Sequence, residues 1–245
     1  MSLSPPVVST CPFCNAQSDE VFRATVMYRH QAIYAECTVC RSLHVVDPTW
    51  LDEAYANPDF SDELDSGAPW RNATLAGLLV RLGTVAPVGP WLDYGSGRGL
   101  LVERLAGRGF QIQGHDPHRG IVASMRTAFA MISAFEVLEH SPTPLTMMRE
   151  LRDMLEPSGI VVLSTWLREP VHGSGWRYLA TAAGQHVSFP SLQGLQRVFH
   201  AAGLSWWCSG ANREHAELQV HLGGTGETRG VEQLERSGFT VFARA

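Results

Sequence analysis

No lysine occurs in this chain; all 19 basic residues are arginine. That excludes Schiff-base catalysis, a lysine general base and the phosphate-binding lysine of a P-loop. Positive charge is outweighed as well, since 24 acidic residues against those 19 leave a net charge of -5. Such a balance lacks the broad basic footprint of a nucleic-acid binder and the polybasic patch of a membrane-surface protein. No apolar run approaches 18 residues, so no membrane-spanning helix is expected. The opening stretch MSLSPPVVSTC has neither the charged nor the apolar region of a secretory signal. Cysteine is sparse, five in 245 residues, and four of the five fall in two CxxC pairs. That usage suits metal binding in a reducing compartment better than a disulfide framework, and the cytoplasm is the expected location.

What is present begins with those pairs. CPFC spans Cys11 to Cys14 and CTVC spans Cys37 to Cys40. A two-residue gap lets both thiolates of a pair reach one ion, and two pairs complete a tetrahedral site closed to substrate. Cys11, Cys14, Cys37 and Cys40 are therefore expected to hold a structural zinc. The stretch between the pairs reads as one or two short strands, too few to bury a core without a metal. The fifth cysteine, Cys208 in LSWWCSG, reads as a small buried hydrophobe. From Ser42 to Trp70 there are seven acids, no arginine and three prolines, the composition of a solvated connection with short helical turns. Trp50, Tyr55, Phe60 and Trp70 are its candidate anchors, by packing onto either domain or as part of a substrate-side lid. The expected division is a ribbon over residues 1–48, a linker over 49–70 and a larger domain over 71–245.

In that domain helical and strand signals alternate. RNATLAGLLVRLG, GLLVERLAGRG, SPTPLTMMRELRDMLEPSG and PSLQGLQRVFHAAG carry helical spacing and stop signals; Leu145, Met148, Leu151 and Leu155 form one stripe of the third. VGPWLDYG, FQIQGHD, AFAMISAF, IVVLST and LSWWC read as strands, two of them near-continuous apolar runs of the kind covered on both faces. The rhythm predicts an α/β fold with a mostly parallel sheet and helices on both faces, its ligand beyond the C-terminal strand ends. At one such end stands PWLDYGSGRGLL, where Asp93 closes a strand and Gly95, Gly97 and Gly99 follow. The spacing departs from the dinucleotide fingerprint G-x-G-x-x-G. Asp116 closes the next strand in QGHDP, and AFEVLEH follows the strand after that.

With these residues together, the chain resembles the class I S-adenosylmethionine-dependent methyltransferases over roughly residues 70 to 208. It looks like the small-molecule type with an N-terminal zinc ribbon, through EVLEH, LRDMLEPSGIVVLST and GQHVSFPSLQGLQRVFHAAGL. The resemblance implies a Rossmann-like domain, S-adenosylmethionine as cofactor and a small-molecule methyl acceptor. Gly95, Ser96 and Gly97 would pass around the methionine part, Asp93 would face its amino group, and Asp116 would hold the ribose diol. Phe135 and Glu136 would flank the pocket. His186 and His140 are the candidate bases, because a neutral imidazole accepts a proton near pH 7. Trp176 and Tyr178 are candidates for a lid. One departure stands out: members of the family usually carry a helix, a strand and a loop between the ribose acid and EVLEH, whereas only Pro117 to Ala128 lies there here. An abbreviated adenine side is expected, with no acid assigned to the adenine amine. Two other functions remain open at this point: a zinc-ribbon RNA methyltransferase, opposed by the charge, and a catalytically silent scaffold whose ribbon binds a protein partner.

Overall fold

The computed structural model describes residues 7–56, 68–124, 128–228 and 230–245. Two sheets organise it. The smaller one is antiparallel and contains β1 (Val8–Thr10), β2 (Gln17–Val26), β3 (His30–Cys37) and β4 (Leu43–Val46). Its fifth strand, β9 (Ser188–Phe189), arrives from far along the chain and pairs with β4 through Leu43 and His44. The hairpin joining β2 and β3 docks its tip on the turn at Ala180–Gly184, where Met27 N–H donates to the Thr181 carbonyl at 2.8 Å. After β4 comes α1 (Leu51–Ala56), whose neighbour Trp50 donates from Nε1 to the Gly184 carbonyl at 2.8 Å. Phe60, one of the expected anchors, lies outside the described residues.

The larger sheet has seven strands in the order β12 (Phe239–Arg244), β10 (Ser205–Asn212), β11 (Gln219–Gly224), β8 (Leu155–Ser164), β7 (Phe129–Phe135), β5 (Trp91–Tyr94) and β6 (Ile112–His115). The β6–β5–β7–β8 half is parallel, as the βαβ rhythm requires, and β11, β10 and β12 extend it antiparallel. Helices α2 (Ala68–Leu82), α3 (Leu100–Ala106) and α6 (Val231–Arg236) cover one face; α4 (Pro144–Met154) and α5 (Leu192–Ala201) cover the other. β7 shows why its sequence lacks alternation: Ile132 and Ala134 join one core while Ala130 and Met131 join the opposite one. Leu155, placed by its spacing on the helical stripe, is extended (φ -79°, ψ 142°) and opens β8, so α4 stops one residue earlier.

Both β6 and Asp116 bear on the site. A short 3₁₀ turn, Pro117–Arg119, follows Asp116, and Ile121 folds back to exchange two backbone hydrogen bonds with Asp116 at 2.7 and 3.0 Å. Among the described residues no further strand pairs with the outer edge of β6 and no α-helix lies between β6 and β7. The short segment therefore leaves β6 as the sheet's edge.

Candidate functional site

The glycine loop is shaped by close approach. Gly95, Gly97 and Gly99 have φ of 74°, 54° and 78°, in the left-handed region that side chains disfavour. A Cβ at Gly95 would also lie 2.4 Å from Val137 Cγ2. The loop turns across the end of β6: Gly95 and Ser96 both donate from N–H to the His115 carbonyl, at 2.7 and 3.2 Å, and Gly97 N–H donates to Asp116 Oδ2 at 2.9 Å. Asp93, Gly95, Ser96, Gly97, Phe135 and Glu136 line one cavity of about 310 Å³, close to the lower end of small-molecule sites. Asp116 is not in that lining and flanks it through the Gly97 contact. The Ser96 hydroxyl is buried with no hydrogen-bond partner among the described residues.

Asp93 is only 5% exposed and accepts a 2.7 Å hydrogen bond from the Ser133 hydroxyl. Burial pushes its carboxyl up to about 7; the Ser133 bond opposes that shift and the Asp116 charge adds to it. A ligand ammonium beside it would reverse the effect. With the folded-state value above the ordinary one, the group's contribution is fully favourable at low pH and is lost as pH rises through 7. Asp93→Asn, which keeps an acceptor for Ser133 and cannot ionise, is thus expected to raise the Tm of the ligand-free protein more at pH 8 than at pH 5. Thermal unfolding at both pH values checks this; an equal Tm at pH 8 would mean the carboxylate is already compensated.

A second cavity, of about 610 Å³, adjoins the first, and Arg71 and Glu136 line both. Its walls are aromatic: Trp166 stacks on Tyr178 with ring centroids 5.0 Å apart, and the Arg177 guanidinium lies 4.8 Å over the Trp166 ring. Tyr178, expected in a lid, is instead a buried part of the wall, its hydroxyl donating to Glu136 Oε2 at 3.1 Å. Glu136 sits at the junction with φ 53°, an unusual backbone for glutamate, and accepts from Ser164 Oγ at 2.7 Å. Burial, and secondarily the Glu139 charge, push its carboxyl up to about 7.

His186 lines this second cavity; His140 does not. The two rings meet edge to face at 4.8 Å. Burial holds both below the ordinary value, His140 at about 3, so both are neutral near pH 7. His186 Nδ1 lies 2.7 Å from the Tyr178 carbonyl and His140 Nδ1 3.0 Å from the Tyr55 hydroxyl.

The four cysteines of the pairs come together, their Sγ atoms all within 4.8 Å of one another. Cys11 and Cys40 are 3.6 Å apart and Cys14 and Cys37 3.5 Å, near the roughly 3.8 Å that tetrahedral Zn–S bonds of ~2.3 Å impose. Val39 and Cys40 N–H groups point at Cys37 Sγ, at 3.4 and 3.3 Å, as donors to a thiolate. The donor set fits zinc. Cys208 is fully buried, and burial pushes its thiol up to about 12.

Ser133, Arg71, Arg177 and Glu139 join these sites beyond the residues singled out above, and Tyr55, a candidate anchor of the connection, meets His140. Only Glu139 carried a local signal, being the second acid of EVLEH; the others reach the site from distant segments.

The family model Methyltransf_23, described as a methyltransferase domain, matches residues 68–209. The ubiquinone biosynthesis O-methyltransferase of Dinoroseobacter shibae is 28% identical over 156 residues, 53% of this chain and 56% of that protein. The protein of the same description from Cereibacter sphaeroides is 29% identical over 145 residues, 46% of this chain and 59% of that one. The chain thus spans about half the length of the curated relatives it matches. Among solved structures, PigF with SAH superposes with a TM-score of 0.50 at 19% identity, covering 71% of this chain and 62% of that one. TnmH gives 0.51 at 18% identity, covering 71% and 61%. At such identities the structures bear on the fold alone.

Proposed function

Because the chain belongs to the methyltransferase domain family, matched over residues 68–209, we propose that it transfers a methyl group from S-adenosylmethionine to an oxygen or carbon of a small molecule. The observation that carries this reading is the junction of the two cavities at Glu136 and Arg71, one walled by the glycine loop and the other by aromatic rings. The bound cofactor supplies an electrophilic methyl group on a sulfonium centre. Everything else falls to the chain. Holding donor and acceptor in line is worth about 7–11 kcal/mol of the barrier. Asp93 would take the cofactor's amino group, which would answer its uncompensated carboxyl; Gly95, Ser96 and Gly97 would follow the methionine part, Asp116 would take the ribose diol, and Phe135 and Glu136 would flank the pocket. His186, neutral and facing the acceptor cavity, receives the proton of an oxygen nucleophile, with His140 behind it.

Cys11, Cys14, Cys37 and Cys40 hold a structural zinc in a ribbon over residues 1–48. A connection over 49–70 leads to the catalytic domain, 71–245, whose first helix α2 starts slightly earlier, at Ala68. The net charge of -5 speaks against an RNA acceptor.

Calorimetry with S-adenosylhomocysteine tests the reading. The wild-type chain should bind it, and Asp116→Ala, by removing a charged acceptor worth roughly 1.5–3 kcal/mol, should weaken binding by about 10- to 150-fold. Absence of heat from the wild type would favour a silent scaffold. Unchanged affinity in Asp116→Ala would sink the ribose assignment.

A further inference from the structure

Glu139 is an anomalous side chain among the described residues. It lies in the 3₁₀ turn Leu138–His140 that follows β7 and EVLEH. It is 0% exposed, and neither carboxylate oxygen makes a well-aligned hydrogen bond among the described residues, although the Tyr178 and Thr165 hydroxyls stand close by. A buried carboxylate left this way is strongly unfavourable unless it is protonated or meets a cation. None of the ion pairs among the described residues involves it. Yet one carboxylate oxygen of Glu139 and one ring nitrogen each of His140 and His186 lie within 4.8 Å of one another.

We propose that Glu139, His140 and His186 hold a divalent transition-metal ion at the inner end of the acceptor cavity. Three features favour a metal over a proton. The set is one carboxylate and two imidazoles, a donor combination suited to zinc, iron, cobalt or manganese with positions left open. Each ring is oriented through Nδ1, His186 by the Tyr178 carbonyl and His140 by the Tyr55 hydroxyl, which frees Nε2; ligating histidines are commonly fixed in this manner. His186 also lines the cavity, so open positions would face whatever binds there. This site is separate from the four thiolates of the ribbon. It deepens the reading of the second cavity as the acceptor's and rests on that reading only for its purpose. With the ion in place, an acceptor hydroxyl would be acidified by coordination and would lose its proton to water in the cavity, and His186 would serve as ligand rather than as base.

The test is equilibrium dialysis of the full-length protein against Mn²⁺, Co²⁺ and Zn²⁺ separately, with metal per chain read by mass spectrometry. Mn²⁺ is the most informative probe, because it binds more weakly than zinc and does not displace it from thiolates. The wild type is expected to take up one equivalent more than Glu139→Gln of at least one of the three metals. His186→Ala should lose the same equivalent, or bind it at least tenfold more weakly. Glu139→Gln replaces an orphaned charge with an isosteric amide, so it is expected to fold with a Tm at or above that of the metal-free wild type. Equal uptake by wild type and both variants, or no uptake beyond the cysteine-bound ion, would overturn the proposal. S-adenosylhomocysteine titration of the same samples separates the two readings. Binding of that ligand without the extra metal ends this inference alone, whereas metal without the ligand ends the methyltransferase reading alone.

Discussion

Gly95→Val is expected to abolish S-adenosylhomocysteine binding and to lower the stability of the chain by about 2–5 kcal/mol. Two costs add. The backbone at Gly95 has φ 74°, which costs a residue with a Cβ roughly 1–2 kcal/mol. That Cβ would also stand 2.4 Å from Val137 Cγ2 and 3.2 Å from its Cγ1, and overpacking of this kind costs about 1–3 kcal/mol. Val137 is β-branched and stiff at χ1, so turning its methyls aside is itself costly. The loop must give instead, and it carries the Gly97 N–H that meets Asp116. Since each 1.4 kcal/mol is tenfold in affinity, even a modest loop shift should exceed a 100-fold loss. Calorimetry and thermal unfolding read the two effects separately. Wild-type affinity in a folded Gly95→Val protein would remove this loop from the cofactor site.

Removing the ribbon metal should act over a longer range. Cys37→Ser is expected to weaken zinc binding by about 100- to 1,000-fold and to lower the Tm of the whole protein by roughly 6–20 °C. Structural zinc is worth about 10–16 kcal/mol in isolated fingers. Losing a third of that is about 3–5 kcal/mol, and a chain of this size shifts ~2–4 °C per kcal/mol. The loss spreads because the thiolates are not solvated at a tip. Cys11, Phe13, Cys37 and Cys40 share a core with Leu145 and Met148 of α4 and with Leu195, Val198 and Phe199 of α5. The Ser191 hydroxyl, which caps α5 by accepting from Gly194 N–H at 2.9 Å, also donates to the Cys40 carbonyl. Metal analysis with thermal unfolding checks both halves. Zinc retained at one equivalent with an unchanged Tm would show that these thiols are not the ligand set.

How much of this could be read beforehand depended on the range of the signal. β7 and β8 were legible because a strand covered on both faces needs a continuous apolar run. The glycine loop was legible because its φ values demand glycine, and Asp93 and Asp116 because each closes a strand. β11 was not: Gly223 and Gly224 carry no strand signal of their own, yet a Cβ at either would approach within 2.4 Å of Phe199 or of a backbone oxygen. There glycine makes room for neighbours remote in sequence. The Leu155 boundary was missed because its spacing fits the helical stripe and only its backbone departs. β9 is two residues long and owes its existence to β4, about 140 positions earlier. Tyr55 and Ser133 enter the site by the same kind of distant pairing, which no local pattern announces.

That short β4–β9 pairing bears on whether the ribbon can be regarded as a detachable module. A fragment beginning at residue 49 would strip Phe189, fully buried here, of its partner strand and of Tyr34, whose ring lies 6.3 Å away. Gly194 would be uncovered too; in the intact chain a Cβ there would collide with Ser42 at 1.9 Å. The excised piece would thus carry an open seam along β9 and α5 rather than a closed surface. Inheritance follows the same seam. A substitution at Ser191 or Gly194 is also a change at the metal knuckle, so the two parts can drift in sequence only together.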